Sequence, residues 1–563
     1  MKLPILLAVG LLFLVALTMG AVLGHDYLSW DDDVFLYRNP NLSPPTWESL
    51  AAVWTGPYAR LYVPIPYTVW WAVARVAGVP GPDGTWLVQP QVYHGVSLGV
   101  HLLNVLLAFG LLRRLVHNDW ASAAGALLFG IHPLQVESVA WASELKDLLS
   151  GTFSLIALWL YLASLPTDGT TAPRRWWLYY GLSTIAFAGA LLCKPNTVAL
   201  PVGAAVLALW LARAPWRRAA GGLLLWLALA AVHVVLTRSV QSLDPSLDIP
   251  LWQRPFVAGD ALAFYMGKAF WPVALSPDYG RAPGVVLANA WVWVIWLVPV
   301  VVLAAVWCLR RRWPWAMAGA GLFVAALLPS LGLMPFDFQQ YSTVADHYAY
   351  VAVFGVAVIL AGLLTTTRWR LAYALCGIVL ALLAAQSNLQ VLVWQNNVSF
   401  WTHTLQVNPR SWLAHNNLGA VYQMLGKPEQ AIPHYEAGLG LKPQDADTLV
   451  NLGIALVSVG RSAEALLCFE KALSLRPGDL KAHFAVGALL VERERYADAL
   501  SHLEPLVRQE PDNAPARFAL AQALLGLGHR GEALSHLRLL AEGTPPYPPA
   551  VDALRELAEG PGD

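Results

Sequence analysis

The sequence predicts an all-α protein, with a polytopic bundle of about eleven membrane-spanning helices followed by a helical repeat domain. Three observations support this fold class. Of the 563 residues, 57% are hydrophobic and only 13% are charged, about half the charged fraction of a typical soluble protein. The apolar residues form segments long enough to cross a bilayer. The last part of the chain is more polar and repeats with a period of 34 residues.

Charge is unevenly distributed along the chain. The 36 basic and 36 acidic residues balance, so the sequence lacks the basic surplus expected of a nucleic-acid-binding protein. Residues 401–563 hold 33 of these charges, and the preceding 400 residues hold 39. We therefore predict a membrane domain at 1–390 with an outer loop at 24–91, a linker at 391–410 and a water-soluble repeat domain at 411–563.

Eleven apolar segments are candidate spans. The first could be a secretory signal peptide, but no convincing small-residue cleavage site follows it, so we predict a retained helix. The stretch Phe256–Ala274 is interrupted by Asp260 and Lys268, which favours an interfacial or re-entrant helix. The predicted spans lie near residues 4–23, 92–112, 120–132, 148–164, 176–193, 197–212, 219–236, 290–309, 314–333, 347–364 and 371–388.

Basic residues cluster in alternate loops, and such loops usually stay in the cytoplasm. With eleven spans, this pattern predicts that the repeat domain lies outside the cytoplasm, in the periplasm if the host membrane is a bacterial inner membrane. The clusters are Arg113/Arg114, Arg174/Arg175, Arg213/Arg217/Arg218, Arg310/Arg311/Arg312 and Arg368/Arg370.

The repeat domain carries four units in one register. An apolar residue followed by a small one, an alanine and a closing proline each recur every 34 residues. This is the tetratricopeptide pattern of paired antiparallel helices. Stacked pairs leave a concave surface that usually binds peptide or protein. A spacer or a dimerisation surface is the alternative. The recurring positions are Leu418-Gly419, Leu452-Gly453, Val486-Gly487 and Leu520-Ala521, then Ala431, Ala465, Ala499 and Ala533, and finally Pro443, Pro477, Pro511 and Pro545.

Candidate catalytic groups fall in the predicted outer loops. Asp31 and Asp32 are adjacent acids just beyond the first span, where burial and mutual repulsion can raise a carboxyl pKa enough to make a general base. A solvated acidic turn or a helix cap is the alternative. The sequence shows no Gly-rich phosphate loop and no His/Cys metal spacing, so no metal site is predicted.

Further ionisable groups lie at the predicted ends of later spans, where unpaired charge is costly. His132, Glu137, Lys146 and Asp147 fall within sixteen residues. Lys146 is suited to a phosphate, but it could also extend to the interface or pair with Asp147, and a lone histidine such as His132 is more often structural. On the same predicted side, the sequence also places Lys194, Asp346, His347 and Tyr348.

The chain resembles the TMTC-like (transmembrane and tetratricopeptide repeat) proteins, and their bacterial relatives in particular, over essentially its whole length. Two positions depart from the family pattern: His347 stands where the family usually has Arg, and Asp33 extends the usual acidic pair. The resemblance rests on the segments Trp30-Asp31-Asp32 to Asn39-Pro40, Tyr62-Val63-Pro64-Ile65, His101-Leu102-Leu103-Asn104, His132-Pro133 to Glu137, Lys146 to Ser150, Lys194-Pro195, Ala345 to Tyr348 and Trp394 to Gly419.

That family belongs to the GT-C glycosyltransferases, multi-span enzymes that take sugar from a polyprenyl-phosphate carrier on the non-cytoplasmic face. The resemblance implies transfer of a sugar such as mannose to a protein, with the acceptor or a partner bound by the repeat domain. It also implies that Asp31 or Asp32 is the base. Because charge grows on the leaving phosphate, we expect Lys146, Lys194 and His347 to bind it, supported by His132, Glu137, Asp147 and Tyr348.

The sequence is also compatible with two other functions. The chain could be a noncatalytic membrane scaffold whose repeats recruit partners, or a lipid-linked glycan ligase or transporter. No cofactor is predicted with certainty besides the polyprenyl-phosphate sugar as donor substrate, and the sequence leaves open whether a divalent cation assists the acids.

Overall fold

The structure is a computed structural model that describes residues 2–81, 85–166, 174–241, 249–366, 370–543 and 545–559. The chain forms two compact units, Met1–Pro409 and Arg410–Asp563. Arg368, one of the basic residues used above for orientation, lies outside the described residues.

In the described part of the first unit the elements are helices, apart from two short strands that pair antiparallel with Val79 opposite Leu87. Its elements, in chain order, are α1 (Lys2–Met19), α2 (Trp47–Thr55), α3 (Pro64–Ala77), β1 (Val79–Pro80), β2 (Trp86–Leu87), α4 (Pro90–Val116), α5 (Asp119–Ile131), α6 (Val136–Ala140), α7 (Leu145–Ser164), α8 (Trp176–Cys193), α9 (Leu200–Trp210), α10 (Trp216–Val240), α11 (Arg254–Phe270), α12 (Pro283–Leu287), α13 (Val292–Ile295), α14 (Leu297–Leu309), α15 (Pro314–Leu327), α16 (Ala352–Thr366), α17 (Arg370–Val393) and α18 (Asn397–Val407).

Within the described residues, seven helices are long and apolar enough to cross a membrane. Four shorter apolar helices in this unit, at 119–131, 195–210, 314–330 and 352–366, occupy the remaining segments predicted as spans. The helix α11 is in neither group. The seven long helices are Lys2–Gly24, Pro90–Val116, Ala142–Ser164, Trp176–Cys193, Trp216–Val240, Val292–Leu309 and Arg370–Val393.

Helices α15 and α16 touch through their backbones. A Cβ added at Gly319 would lie 2.4 Å from the Gly355 carbonyl oxygen, and one added at Gly355 would lie 2.4 Å from the Gly319 carbonyl oxygen. Helices in a bilayer pack closely through such small residues. Because α16 follows directly after residues 346–349, this contact also fixes the position of that turn.

A buried polar network joins α4 and α7 to Tyr350, two residues before the start of α16. The Tyr350 hydroxyl lies 2.9 Å from His101 Nδ1 and accepts a hydrogen bond of 2.9 Å from Asn104 Nδ2. Asn104 Nδ2 also donates to the Leu148 carbonyl at 2.8 Å. Buried polar groups are costly without partners, so this network fixes how the start of α7 meets the 346–349 turn.

Residues 391–410, where the sequence predicts a linker, contain instead the end of α17 and the helix α18. Phe400 and Trp401 on α18 are fully buried. Asn397 Oδ1 accepts hydrogen bonds from the Ser29 backbone N–H at 2.6 Å and from its hydroxyl at 2.7 Å. Since burial of two large aromatic side chains favours a packed helix, residues 391–409 are part of the first unit.

The second unit consists of paired helices whose starts recur every 34 residues. Caps recur at the same interval: the side chains of Ser411, Asp445, Asp479 and Asn513 each accept a hydrogen bond from the backbone N–H three residues later, a preferred helix start. The helices are α19 (Trp412–Met424), α20 (Pro428–Leu441), α21 (Ala446–Ser458), α22 (Ser462–Leu475), α23 (Leu480–Glu492), α24 (Tyr496–Gln509), α25 (Ala514–Gly526), α26 (Arg530–Ala541) and α27 (Pro548–Glu559).

Within each of the first three pairs, a glycine on the first helix contacts a large side chain on the second. A Cβ added at Gly453 would lie 2.3 Å from Cε1 of the buried Phe469 ring, and Gly419 and Gly487 stand in the same way against Tyr435 and Leu503. The recurring glycine in the sequence therefore exists because the facing side chain occupies the space of a Cβ.

We expect Gly453→Ala to destabilise the second unit by about 1–3 kcal/mol, because overpacking forces the Phe469 ring to move. Urea unfolding of the isolated unit 410–563, followed by circular dichroism, measures this. Gly440→Ala is the matched control, since a Cβ there meets no atom within 4 Å and alanine favours a helix by up to about 1 kcal/mol. Equal stability of the two variants would contradict the packing argument.

Candidate active site

The first predicted catalytic segment, Trp30-Asp31-Asp32, is held against the start of the third long membrane helix. Trp141 Nε1 donates a hydrogen bond of 2.7 Å to the Trp30 carbonyl. The Ser143 backbone N–H donates to Asp32 Oδ1 at 3.0 Å, and the Ser143 hydroxyl donates to the same oxygen. Hydrogen bonds on both sides of Asp31 therefore fix its position beside residues 141–147.

The two adjacent acids have different surroundings. Asp32 is fully buried, and its other oxygen, Oδ2, accepts a hydrogen bond of 2.9 Å from the Leu28 backbone N–H. Burial raises the pKa of Asp32 to about 7, although the hydrogen bonds from Leu28 and Ser143 oppose the rise. With both oxygens engaged, Asp32 serves to hold the loop.

Asp31 has an exposed side chain and a φ of +69°. A left-handed conformation costs a non-glycine residue on the order of 1 kcal/mol, and the hydrogen bonds of Trp30 and Asp32 maintain it. Water reaches the carboxylate, yet enough protein surrounds it to raise the pKa of Asp31 to about 6, with Lys146 opposing the rise. A carboxylate with this pKa and this access can accept a proton near neutral pH.

Next to this segment, two lysines and two carboxylates form a buried cluster, which we call the charged cluster: Glu144, Lys146, Asp147 and Lys194. The Glu144 carboxylate contacts Lys146 Nζ at 3.2 Å and Lys194 Nζ at 3.1 Å. Lys194 Nζ also contacts Asp147 Oδ1 at 2.6 Å. Buried charges of this kind require partners, so Glu144 holds the two predicted phosphate-binding lysines together.

The turn 346–349 brings His347 and Tyr348 to the charged cluster. His347 Nδ1 lies 2.8 Å from Glu137 Oε1, and the Asp346 backbone N–H donates to Glu137 Oε2 at 3.0 Å. Lys194 Nζ lies 5.4 Å from the centre of the Tyr348 ring, a cation–π distance. Three chain segments distant in sequence therefore meet here.

Burial and the nearby Lys194 lower the pKa of His347 to about 3, so its imidazole is neutral at pH 7. Burial and neighbouring carboxylates raise the pKa of Glu137 well above its ordinary value. A cavity of about 40 Å³ adjoins these groups and is lined in part by Asp147, Lys194, His347 and Tyr348. One water needs about 10–15 Å³, so the cavity has room for a small polar group.

His132, predicted as a supporting residue, contacts backbone groups on either side of its ring. Its Nε2 lies 3.1 Å from the Ala269 carbonyl, and its Nδ1 accepts a hydrogen bond of 3.2 Å from the Leu134 backbone N–H. Burial also lowers the pKa of His132 to about 4. This neutral histidine fixes the turn after α5, and its described contacts do not include the charged cluster.

Glu144 and Ser143 are not among the site residues predicted from the sequence. Glu144 precedes the predicted Lys146 by two residues and Asp147 by three, in a strongly apolar region. The acidic side chain of Glu144 in such a region could have indicated a site residue, because acids there are rare unless they are paired or functional. The role of Ser143 had no sequence signal, since its contact with Asp32 joins residues 111 positions apart.

Comparisons with known proteins identify the second unit. Residues 411–478, 450–514 and 490–558 each match the tetratricopeptide repeat family. The carboxy-terminal unit is a tetratricopeptide repeat domain. Similar solved structures include YrrB, a tetratricopeptide repeat protein (23% identity, TM-score 0.26, covering 28% of this chain and 82% of that one). MamA of Desulfovibrio magneticus is 28% identical, with a TM-score of 0.22, over 23% of this chain and 72% of that one.

One curated relative is the protein O-mannosyl-transferase Tmtc2 of Drosophila melanogaster, which is 30% identical over 109 residues. The match covers 19% of this chain and 12% of the relative, so it spans only a small part of that protein. The long apolar helices and the repeats together fit an integral membrane protein of the tetratricopeptide repeat class.

The different surroundings of the two acids predict different effects on stability. Asp32→Asn replaces an oxygen that accepts a buried hydrogen bond with a donor, so we expect a loss of about 1–3 kcal/mol. Asp31→Asn should leave stability unchanged or raise it slightly, since asparagine tolerates positive φ well. Thermal unfolding of each variant in detergent, with size-exclusion profiles, measures this. A larger loss for Asp31→Asn than for Asp32→Asn would contradict the assignment.

Proposed function

We propose that this protein is a membrane glycosyltransferase that moves a sugar from a polyprenyl-phosphate donor to a protein hydroxyl on the non-cytoplasmic face. The observation that carries the proposal is the fixed position of Asp31, an accessible carboxylate, near the buried Lys146, which Glu144 connects to Lys194. The partial similarity to an O-mannosyl-transferase is consistent with this chemistry. The GT-C type, the sugar and the orientation are parts of the proposal.

In this reaction Asp31 is the general base. The Asp31 carboxylate accepts the proton of the acceptor hydroxyl, whose oxygen forms a bond to the anomeric carbon of the sugar. The bond between that carbon and the phosphate oxygen breaks, and the polyprenyl phosphate leaves with the bonding electrons. Asp32 does not take the proton, because backbone and hydroxyl donors from Leu28 and Ser143 occupy both of its oxygens.

The leaving phosphate gains negative charge, and cations held in place stabilise such charge without reorganisation. Lys146 and Lys194 are the candidates, held together by Glu144. Because both ammonium groups already contact carboxylates, an arriving phosphate shares them. His347 is neutral and therefore does not replace the arginine that the family resemblance implies at its position; it can donate or accept a hydrogen bond.

The tetratricopeptide repeat domain would bind the acceptor protein or a partner. Arrays of this kind present an extended concave surface, and the usual ligand of such a surface is a peptide or protein segment. Here the substrate range would depend on the acceptor segment that the repeats bind.

To test the function, the purified chain in lipid nanodiscs is incubated with radiolabelled polyprenyl-phosphate monosaccharides and Ser/Thr-containing peptides. We expect label on peptide, and Asp31→Asn should slow transfer by about 10²–10⁴-fold, the contribution of a general base. Asp33→Asn, a neighbouring acid without a proposed role, is the matched control. Absence of transfer with every donor would favour a noncatalytic scaffold, and transfer of oligosaccharide alone would favour a ligase.

The pKa of Asp31 predicts the pH dependence of transfer. Only the ionised carboxylate accepts a proton, so the rate should rise with pH, about tenfold per unit below pH 6, and level off above about 6. Initial rates between pH 4.5 and 8 at fixed donor concentration measure this profile. The residual rate of Asp31→Asn should lack the rise near pH 6. A wild-type rate that is constant or falls over that range would exclude Asp31 as the base.

A further inference from the structure

The charged cluster and His347 bring together three groups that can bind a metal ion. Glu144, Asp147 and His347 are all buried, and one potential ligand atom from each lies within 4.8 Å of the other two. Two of them are carboxylates placed side by side, which repel one another unless a cation lies near. Lys194 provides part of the positive charge that the two carboxylates require.

The two lysines do not provide a partner for every carboxylate oxygen of the cluster, as Asp147 shows. Its Oδ1 contacts Lys194 Nζ at 2.6 Å, whereas its Oδ2 is buried and has no hydrogen-bond partner. Asp147 is 5% exposed and lines the cavity together with His347. A buried carboxylate oxygen without a partner is unfavourable, and a bound cation in the cavity would remove this cost.

The second feature is the contact between Glu137 and His347. A histidine that binds a metal through Nε2 carries its proton on Nδ1 and usually donates it to a carboxylate or carbonyl group. Glu137 Oε1 lies 2.8 Å from His347 Nδ1 in the position required, and the Asp346 backbone N–H holds the other oxygen of Glu137. Glu137 thus orients the imidazole, and in its ionised form it accepts the Nδ1 proton and leaves the lone pair on Nε2.

The balance of buried charges also favours a bound cation. Four carboxylates are buried here, those of Glu137, Glu144, Asp147 and Asp346, and the ammonium groups near them are the three of Lys146, Lys194 and Lys268. The excess of one formal negative charge in a buried site is compensated by a proton or by a bound cation. Since Glu144 and Asp147 lie at the start of α7 and the imidazole comes from a distant turn, all of them buried, the set resembles a built site more than a solvated acidic patch.

We propose that Glu144, Asp147 and His347 bind a divalent transition-metal ion, with Glu137 as the carboxylate that positions His347. Two carboxylates and one imidazole favour Mn²⁺, Fe²⁺ or Zn²⁺ over Ca²⁺, which prefers oxygen ligands alone. If the proposed function holds, the ion contacts the donor phosphate from the cavity beside Lys194 and adds to the charge stabilisation by the lysines. Metal binding itself does not depend on the sugar-transfer proposal.

The experiment uses tag-free, full-length protein in nanodiscs, stripped with a chelator and titrated with Mn²⁺ alone. Electron paramagnetic resonance measures the loss of free Mn²⁺, and pulsed measurements detect ¹⁴N coupling from a bound histidine. We expect one Mn²⁺ per chain with nitrogen coupling in the wild type. Absence of stoichiometric binding, or bound Mn²⁺ without nitrogen coupling, would overturn the proposal, and the lysines would then be the cluster's only counter-ions.

Variants locate the site. Asp147→Asn should weaken Mn²⁺ binding at least about tenfold, and His347→Asn should remove the nitrogen coupling, while Glu137→Gln should weaken binding about 10–100-fold, the usual effect of losing an orienting partner. The matched controls Asp337→Asn and His117→Asn should bind as the wild type does. Wild-type binding by Asp147→Asn would place the ion elsewhere and refute the assignment. Because no donor or acceptor is present, this result is separate from the transfer assay.

Discussion

The arrangement of the membrane unit depends on the buried carboxylate of Asp32. It is engaged by the Leu28 backbone N–H on one side and by Ser143 on the other, so it joins the loop after the first long helix to the start of the third. Together with the hydrogen bond from Trp141 to the Trp30 carbonyl, this junction fixes the accessible Asp31 relative to the start of α7. A buried acid with satisfied oxygens thus provides the scaffold for a neighbouring acid that water can reach.

A similar division of labour applies to the charged cluster. Glu144 holds Lys146 and Lys194 in one place, and Glu137 holds His347 and the turn that carries it. The groups that face the cavity are therefore positioned by other charged groups behind them. Burying these charged groups has a large desolvation cost. We therefore propose the functional site here and not at the isolated polar residues elsewhere in the membrane unit.

The fold could be predicted from sequence to a large extent because its signals are periodic or compositional. Long apolar segments predicted the helices, and a 34-residue recurrence predicted the repeat pairs, whose caps and glycine contacts keep that register. Residues 391–410 were predicted as a linker, since the apolar character of Phe400 and Trp401 was too local to indicate a packed helix.

The candidate site could be predicted only in part. Sequence position brought Asp31, Lys146, Lys194 and His347 into consideration because each is charged or titratable near the end of an apolar segment. Sequence alone could not distinguish Asp31 from Asp32, because burial and hydrogen bonding separate them only in three dimensions. It also could not exclude His132 from the cluster, since the histidine's partners are backbone carbonyl and amide groups, which any sequence possesses.

The regular spacing of the repeat domain has an evolutionary consequence. The helix starts and caps of the four pairs, and the glycine contacts within the first three, are related by the same 34-residue step, so successive pairs are built on one pattern. Duplication or loss of a whole pair would leave the remaining junctions intact. The length of the concave surface can therefore change by genetic duplication without redesign of its interior, whereas the membrane unit, built from unique long-range contacts, has no comparable freedom.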